Sequence, residues 1–376
     1  MKVVSVLTSS AHGGAEFAAV WLLDALAERG HETVLLTNLP ELCSGTRVIA
    51  RPIEIGPKLS RTSFRRLLLS IPRLGSTLRR ELQGERPYDV LLLHFKKEQL
   101  LTLALPKSLR ATCVWAEWGP LPAPLHRGIV NFVYRAAARR ADVALAVSEG
   151  TKVTLVAAGF DERKTFVLPN AVRIEEHRYS ETARREIRER LGIAENSFVV
   201  GSLTRLHAKK RNDVLVEAVK RLGGDVHLIF AGEGESEGEL RRLAQPLGAR
   251  AHFLPTPGKE AANVISVFDV AVFCPSPTEG APLSVIVPML CERPVVASGS
   301  EGARDLLPPG CGLIVRPEND VSALADALAD YQRDPDRRAR EGRLARKHAE
   351  LTHSAAHVAT EFERIVAAAI AGRAPA

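Results

Sequence analysis

The sequence predicts a soluble two-domain α/β chain, each half a doubly wound, Rossmann-like parallel sheet, and three observations carry that expectation. Short apolar runs of strand length alternate with helix-length segments through both halves. The composition, 45% apolar and 25% charged, is that of a globular enzyme and excludes a disordered or collagen-like chain. The length, 376 residues, accommodates two domains that each bury a core.

In the first half, Val3 to Thr8 reads as a fully buried strand, Ala15 to Arg29 as a helix ended by Gly30, and Glu32 to Thr37 as the next strand. Strand, helix, strand implies parallel pairing. Asp89 to His94, Thr112 to Trp115 and Asp142 to Val147 continue the strand series, with a helix over Gly128 to Arg140. A polar stretch from Arg173 to Asn196, itself containing a helix over Glu181 to Leu191, separates the halves.

The second half repeats the pattern. Strands are expected over Phe198 to Leu203, Val226 to Ala231, Ala251 to Leu254, Val270 to Cys274 and Pro294 to Ala297. Helices are expected over Asn212 to Leu222, Glu237 to Leu247, Pro282 to Cys291 and Asp320 to Tyr331, and the tail from Asp334 to Arg373 is helical in pattern. Two such domains place a central cleft between the carboxyl ends of two sheets, where open α/β sheets bind ligands and helix N-termini offer amides to anions.

The formal charge of +7 is concentrated. Arg47 to Arg86 carries ten Lys or Arg against three Glu, so the remainder of the chain is neutral. This local patch gives no reason to expect nucleic-acid binding. Five widely spaced cysteines, none in a C-x-x-C pair, suggest neither a disulfide framework nor a zinc site and fit a reducing cytoplasm. No signal-peptide pattern develops before Gly13-Gly14, and no apolar run approaches the roughly 18 residues of a membrane span.

Three stretches can carry chemistry. Gly13-Gly14 lies in the first strand-to-helix turn, where glycine permits close approach of backbone to a ligand; a tight turn without a ligand looks the same. Arg205 and Lys210 lie five residues apart on the loop leaving the first strand of the second half, suited to gripping a diphosphate as fork and point charge, or to facing solvent. Cys274-Pro-Ser-Pro-Thr-Glu279-Gly-Ala-Pro-Leu283 presents a carboxylate beside Gly280 just before a helix: a hydrogen-bond acceptor for sugar hydroxyls, or a helix-capping Glu.

These stretches occur in order with Val147-Ser148-Glu149-Gly150, Val167-Leu-Pro-Asn170-Ala, Phe230-Ala-Gly232-Glu-Gly234 and Pro294-Val-Val-Ala. In that order and spacing the chain resembles the retaining GT-B glycosyltransferases of family 4 over almost its whole length. The resemblance implies an N-terminal acceptor domain over 1–175, with a terminal helix over 356–376 crossing back onto it, a nucleotide-sugar domain over 176–355, and a hinge near Asn170 to Ser180. It implies that Gly13 and Gly14 approach the donor phosphate, Arg205 and Lys210 bind the diphosphate, and Glu279 touches the donor sugar. The amides of Gly280, Ala281 and Leu283 then complete the sugar and phosphate cradle, and backbone around Gly232 to Gly234 and Thr256 to Gly258 frames the base. The implied reaction transfers a sugar from a nucleotide diphosphate to an acceptor hydroxyl with retention, without a metal or other cofactor; no Asp-x-Asp pair suited to magnesium occurs in the cleft segments.

Two positions depart from the family pattern. The family's second glutamate, eight residues after the first, is Val287, which cannot accept a hydrogen bond from ribose; Ser284 or Glu292 are the nearby substitutes. The family's donor-facing histidine is replaced by Trp118, flanked by Glu117, with His126 downstream; these three are the candidates for acceptor or sugar contact. The departures keep open a pseudo-glycosyltransferase or unusual-donor transferase on the same fold, and a silent sugar-nucleotide-binding scaffold. The acceptor class is left as small-molecule, saccharide or lipid-linked. Residues 58–82 form a basic amphipathic helix or helix pair, interrupted near Pro72 and Gly75, that offers peripheral membrane contact, packing on its own sheet, or an anionic acceptor site.

Overall fold

The computed structural model describes residues 1–10, 13–56, 64–121, 128–256, 258–275, 279–299 and 301–372. The chain divides into two compact units, Met1–Val172 with Ala355–Ala376, and Arg173–Ser354.

In the first unit the strands are β1 (Lys2–Leu7), β2 (Glu32–Thr37), β3 (Ile49–Pro52), β4 (Val90–Leu93), β5 (Thr112–Glu117), β6 (Val143–Ala146) and β7 (Thr165–Val167). They form one sheet in the order β3-β2-β1-β4-β5-β6-β7, and every neighbouring pair is parallel. The helices are α1 (Gly14–Glu28), α2 (Phe64–Gly84), α3 (Lys96–Leu101), α4 (Gly128–Ala138) and α5 (Glu149–Ala157). A strand covered on both faces needs a continuous apolar run. In β1, Val4 and Val6 join the core on one face and Val3 and Leu7 the core on the other, the period of two that a pleated strand imposes. Gly30, at φ 87°, ends α1 in the left-handed conformation that turns the chain directly into β2.

The basic amphipathic segment forms one helix rather than two, with Pro72 inside it. Packing holds it together: Ile71, Leu74, Leu78 and Leu82 lie against the core, and a β-carbon on Gly75 would sit 2.4 Å from that of Ala104. Its apolar side from Ile71 to Leu82 is therefore occupied by its own sheet, while Arg73, Arg79 and Arg80 face solvent. Lys58 and Arg61 lie outside the described residues, as do the side chains of Phe64, Arg65, Arg66, Leu67 and Leu68. No helix among the described residues is long and apolar enough to cross a membrane.

The second unit contains α6 (Glu181–Leu191), β8 (Phe198–Leu203), α7 (Asn212–Leu222), β9 (Val226–Ala231), α8 (Glu237–Leu243), β10 (Ala251–Leu254), α9 (Ala261–Ser266), β11 (Val270–Phe273), α10 (Leu283–Leu290), β12 (Val295–Ser298), α11 (Glu301–Leu306), β13 (Gly312–Val315), α12 (Val321–Arg333) and α13 (Pro335–His353). Its six parallel strands run β10-β9-β8-β11-β12-β13, the same winding as the first sheet. Asp269 anchors the start of β8 by accepting from the Val199 amide at 2.7 Å and from Arg184 and Arg188 at 2.7 and 2.9 Å.

Three strands, β3, β7 and β13, are additional to the sequence expectation; each has three or four residues at or near a sheet margin, too short for a periodic signal. The expected helix Glu237 to Leu247 stops at Leu243, and a 3-10 turn over Gln245–Arg250 takes over at Pro246. The helical tail breaks at Ser354, where ψ is 135°, and continues as α14 (Ala355–Ala371). α14 belongs to the first unit: Val358, Phe362, Ile365 and Val366 are buried in the core with α1, and Glu363 pairs with Arg29 at 2.6 and 2.7 Å and His31 at 2.8 Å. The Ala355 amide donates to the Val172 carbonyl at 2.9 Å, so the chain leaves and re-enters this unit at adjacent points.

Candidate functional site

The candidate residues gather at the carboxyl ends of the strands in each sheet, the edge where open α/β sheets bind ligands.

In the second unit, β8 runs into a loop and a 3-10 turn over Ala208–Lys210 before α7. This turn brings the Lys210 ammonium to 2.7 Å from Glu279 Oε1, with the Phe273 ring of β11 5.3 Å from the nitrogen. The Lys210 and Glu279 side chains are 19% and 25% exposed, so the pair is shielded without being sealed from solvent. Arg205 is exposed and turned toward Glu235 at 3.5 Å, a carboxylate shared with His207 Nε2 at 3.1 Å. A backbone hydrogen bond, followed by the charges of His207 and Arg205, holds Glu235 below the usual carboxylate range. The structure thus joins Lys210 to Glu279 directly and sets Arg205 against a different carboxylate.

The glycines of this edge have identifiable packing reasons. A β-carbon on Gly232, whose φ is 147°, would lie 2.2 Å from the Thr204 carbonyl oxygen, and one on Gly234 would lie 2.3 Å from that of Leu206. These two glycines let the β9 loop lie flat against the backbone on either side of Arg205, and the Leu206 amide seals the contact by donating to the Glu233 carbonyl at 3.0 Å. Gly302, at the start of α11, is tighter still: its β-carbon would sit 1.2 Å from the Gly280 carbonyl oxygen. Gly280 and Ala281 are buried, Leu283 begins α10, and Pro282 caps that helix without a side-chain hydrogen bond.

Val287 is 3% exposed, packed on the buried side of α10. Glu292 lies beyond the C-terminus of α10, one residue past its cap Cys291. Ser284 is in that first turn.

In the first unit, Gly13 precedes α1 with extended backbone, and a β-carbon there would meet Glu16 Oε2 at 2.8 Å; Gly14 is the first helical residue. Glu16 accepts from Ser9 Oγ at 2.5 Å, and Asn38 clamps the Ser9 backbone at 2.9 and 2.8 Å just after β1. Trp118 stacks on the buried His94, ring centroids 5.6 Å apart. His94 Nε2 is 2.7 Å from Ser5 Oγ, and burial pulls its pKa down to about 3, so it is neutral and covered.

Glu117, expected to contact sugar or acceptor, is turned inward. Its carboxylate receives the Lys96 ammonium and, at 3.0 Å, the Tyr134 hydroxyl, while Lys96 Nζ is also 2.9 Å from that hydroxyl. The physical reason is burial: Glu117 closes β5 inside the sheet, its side chain is 4% exposed, and a buried carboxylate needs donors. The charged partner is Lys96, absent from the sequence expectation; its side chain is 20% exposed, and burial lowers its pKa against the opposing pull of Glu117. The signal available was its place directly after β4. His126 lies outside the described residues. Among the described residues no group of three His, Cys, Asp or Glu could hold a metal ion.

Comparison with known proteins accounts for both halves. The family model of glycosyltransferase family 4 matches residues 12–176, and that of glycosyl transferases group 1 matches residues 183–348. The chain is 30% identical over 325 residues to a GDP-mannose-dependent alpha-(1-6)-phosphatidylinositol monomannoside mannosyltransferase of Mycolicibacterium smegmatis, covering 81% of this chain and 79% of that one. It is also 30% identical over 178 residues to the corresponding monoacylated-acceptor mannosyltransferase of Corynebacterium glutamicum, covering 44% of this chain and 46% of the relative. The solved structure of Anabaena Alr3699/HepE in complex with UDP and glucose superposes with a TM-score of 0.81 at 20% identity, covering 98% of this chain and 99% of that one. With both family models matched and a relative at this identity over four-fifths of the chain, the chain belongs to glycosyltransferase family 4, on the GT-B fold.

Proposed function

We propose that the chain is a retaining, metal-independent glycosyltransferase that moves a sugar from a nucleoside diphosphate sugar to a hydroxyl of a saccharide or lipid-linked acceptor. The observation that carries this reading is the Lys210–Glu279 pair, 2.7 Å apart at the carboxyl edge of the second sheet. A cation and a carboxylate in that arrangement divide the work on a sugar diphosphate: Lys210 meets the phosphate, and Glu279, its partner displaced, accepts from the sugar hydroxyls. Arg205, exposed beside a replaceable carboxylate, adds a second charge to the leaving group. The bond between the anomeric carbon and the phosphate oxygen breaks, the bond to the acceptor oxygen forms on the same face, and the acceptor proton passes to the departing diphosphate. Positive side chains and helix amides stabilise that charge, so the reading requires neither a metal nor a protein base. Five buried cysteines, none in a disulfide, suit an enzyme of the reducing cytoplasm.

The test is a panel of sugar nucleotides, headed by GDP-mannose and UDP-glucose, titrated by calorimetry and followed by product analysis. Turnover with retained anomeric configuration, unaffected by EDTA and abolished in Lys210→Ala, is the expected result. Inverted product, or turnover lost on chelation, removes the mechanism; failure of every sugar nucleotide to bind removes the reading.

A further inference from the structure

The transferase reading uses the carboxyl edge of the second sheet. At the opposite, amino edge lies a cleft of about 400 Å³, one strand length away, which is about 20 Å for the six residues of β8. Three residues that line it immediately precede strands: Ser197 before β8, Asp225 before β9 and Asp269 before β11. α6, α12 and α13 contribute Arg184, Gln332 and Arg338. The volume lies within the roughly 300–1,000 Å³ of small-molecule sites, but the walls are mostly charged or amide side chains, so they suit a polar occupant.

The charges of this cleft are unequally paired. Asp269 is saturated by Arg184, Arg188 and the Val199 amide. Arg184 also gives Nη1 to the carbonyls of Ser266, Val267 and Phe268, which makes it a clamp on the backbone before β11. Arg338 is different. Its guanidinium stands 5.3 Å from the Phe198 ring and uses Nη1 alone, on the Tyr331 and Gln332 carbonyls. Three of its five N–H groups, on Nε and Nη2, have no partner among the described residues. Neither nitrogen is among the buried unpartnered atoms, so both reach solvent. Burial lowers the Arg338 pKa against the pull of Asp269, and the charge of Arg184 lowers it further. A half-buried guanidinium with a free fork, beside a second one, is stabilised by an oxyanion.

The rest of the lining selects what carries that oxyanion. Glu195 and Asp225 are exposed carboxylates; Asp225 is engaged by Ser197 and His227, whereas Glu195 has no ion-pair partner among the described residues. Such carboxylates repel a bare anion and accept from hydroxyl groups. The amides of Asn196 and Gln332, which make no side-chain hydrogen bond among the described residues, offer donors and acceptors together. We propose that this cleft is an accessory saccharide site for a sugar bearing an oxyanion, with the oxyanion on the Arg338 fork and the hydroxyls on Glu195, Asn196 and Gln332. It is separate from the sugar-nucleotide edge and does not depend on the transferase reading. The oxyanion can be the carboxylate of a uronic acid or the phosphate of a sugar phosphate.

Calorimetric titrations of the full chain compare glucose, glucuronate, glucose 6-phosphate and inorganic phosphate. Glucuronate or glucose 6-phosphate is expected to bind about tenfold or more tightly than both glucose and inorganic phosphate, and the one that does so identifies the oxyanion. Arg338→Gln is expected to abolish this preference and Arg338→Lys to recover part of it, with sugar-nucleotide affinity unchanged in both. Lys210→Ala is expected to retain the preference, which separates this cleft from the opposite edge. Glu195→Gln should weaken the acidic sugar and tighten inorganic phosphate, opposite shifts that a loss of structure does not produce.

Acidic sugars bound no better than glucose, or inorganic phosphate bound as tightly as the acidic sugar, overturns the proposal. So does a preference that survives Arg338→Gln or is lost in Lys210→Ala. If Arg338→Gln does not fold, the wild-type and Lys210→Ala titrations still decide the matter. Sugar-nucleotide binding without an acidic-sugar preference sinks the accessory site alone, and the converse result removes the transferase reading alone.

Discussion

Replacing Gly302 by alanine adds one methyl group outside the Lys210–Glu279 pair and is expected to disable it. The new β-carbon would lie 1.2 Å from the Gly280 carbonyl oxygen and 2.7 Å from that of Glu279, where real β-carbons keep at least 3.0 Å. Backbone lines the collision, so no flexible side chain can swing away. Either α11 or the Glu279–Gly280 segment must retreat by about 2 Å, because a packed interior has no space to absorb the change. Glu279 is 2.7 Å from Lys210, and a displacement of that size takes it out of hydrogen-bond reach. Misplacement of about 1 Å at a reacting group costs on the order of 10²-fold, so kcat/KM should fall at least that far. Overpacking should also lower stability by about 1–3 kcal/mol. Gly238→Ala is the control, since a β-carbon there meets nothing within 4 Å. Calorimetric donor titration, steady-state kinetics and thermal melts on both variants form the assay. Wild-type turnover and donor affinity in Gly302→Ala, or a loss no larger than that of Gly238→Ala, would refute the reasoning.

Three further outcomes are expected. Glu279→Gln should cut transfer by about 10²-fold or more while leaving the melting temperature nearly unchanged, read by single-turnover kinetics beside a thermal melt. Gly232→Ala, whose β-carbon would press on the Thr204 carbonyl at 2.2 Å, should weaken donor binding as far as Arg205→Ala does, about tenfold by titration. Glu363 has its pKa brought down to about 2 by hydrogen bonds from Arg29 and then His31. A carboxyl depressed on folding stabilises above its unfolded pKa, so the contribution is complete above about 4.5 and disappears as pH falls toward 2. Melting curves of wild type and Glu363→Gln should accordingly differ at neutral pH and converge in acid.

Much of the architecture was legible because parallel strands buried on both faces leave uninterrupted apolar runs; Phe198 to Leu203 and Val226 to Ala231 match their strands residue for residue. β3 and β7 left no such run, since Ile49 to Pro52 and Thr165 to Val167 lie where burial is partial. Pro72 marked a break in the sequence, but tertiary packing of Leu78 and Leu82 keeps α2 continuous. At the site, residue type and spacing pointed to Lys210 and Glu279, whereas the direction of Glu117 depended on partners 21 residues before and 17 residues after it. Lys96, one lysine in Lys96-Lys97-Glu98, is distinguished from its neighbours by burial alone, a property of the assembled sheet.

The return of α14 beside Val172 makes the first unit non-contiguous, and this governs how the protein can be made. During synthesis residues 1–172 emerge without α14, which shares with α1 the cover of one face of their sheet, and that part of the face stays open until Ala355–Ala371 has been made. Val358, Phe362, Ile365 and Val366 each contribute about 1.5–3 kcal/mol when they finally dock. A truncation anywhere before Ala355 would therefore compromise the folding of the first unit, and a fragment ending at Val172 should accumulate as aggregate.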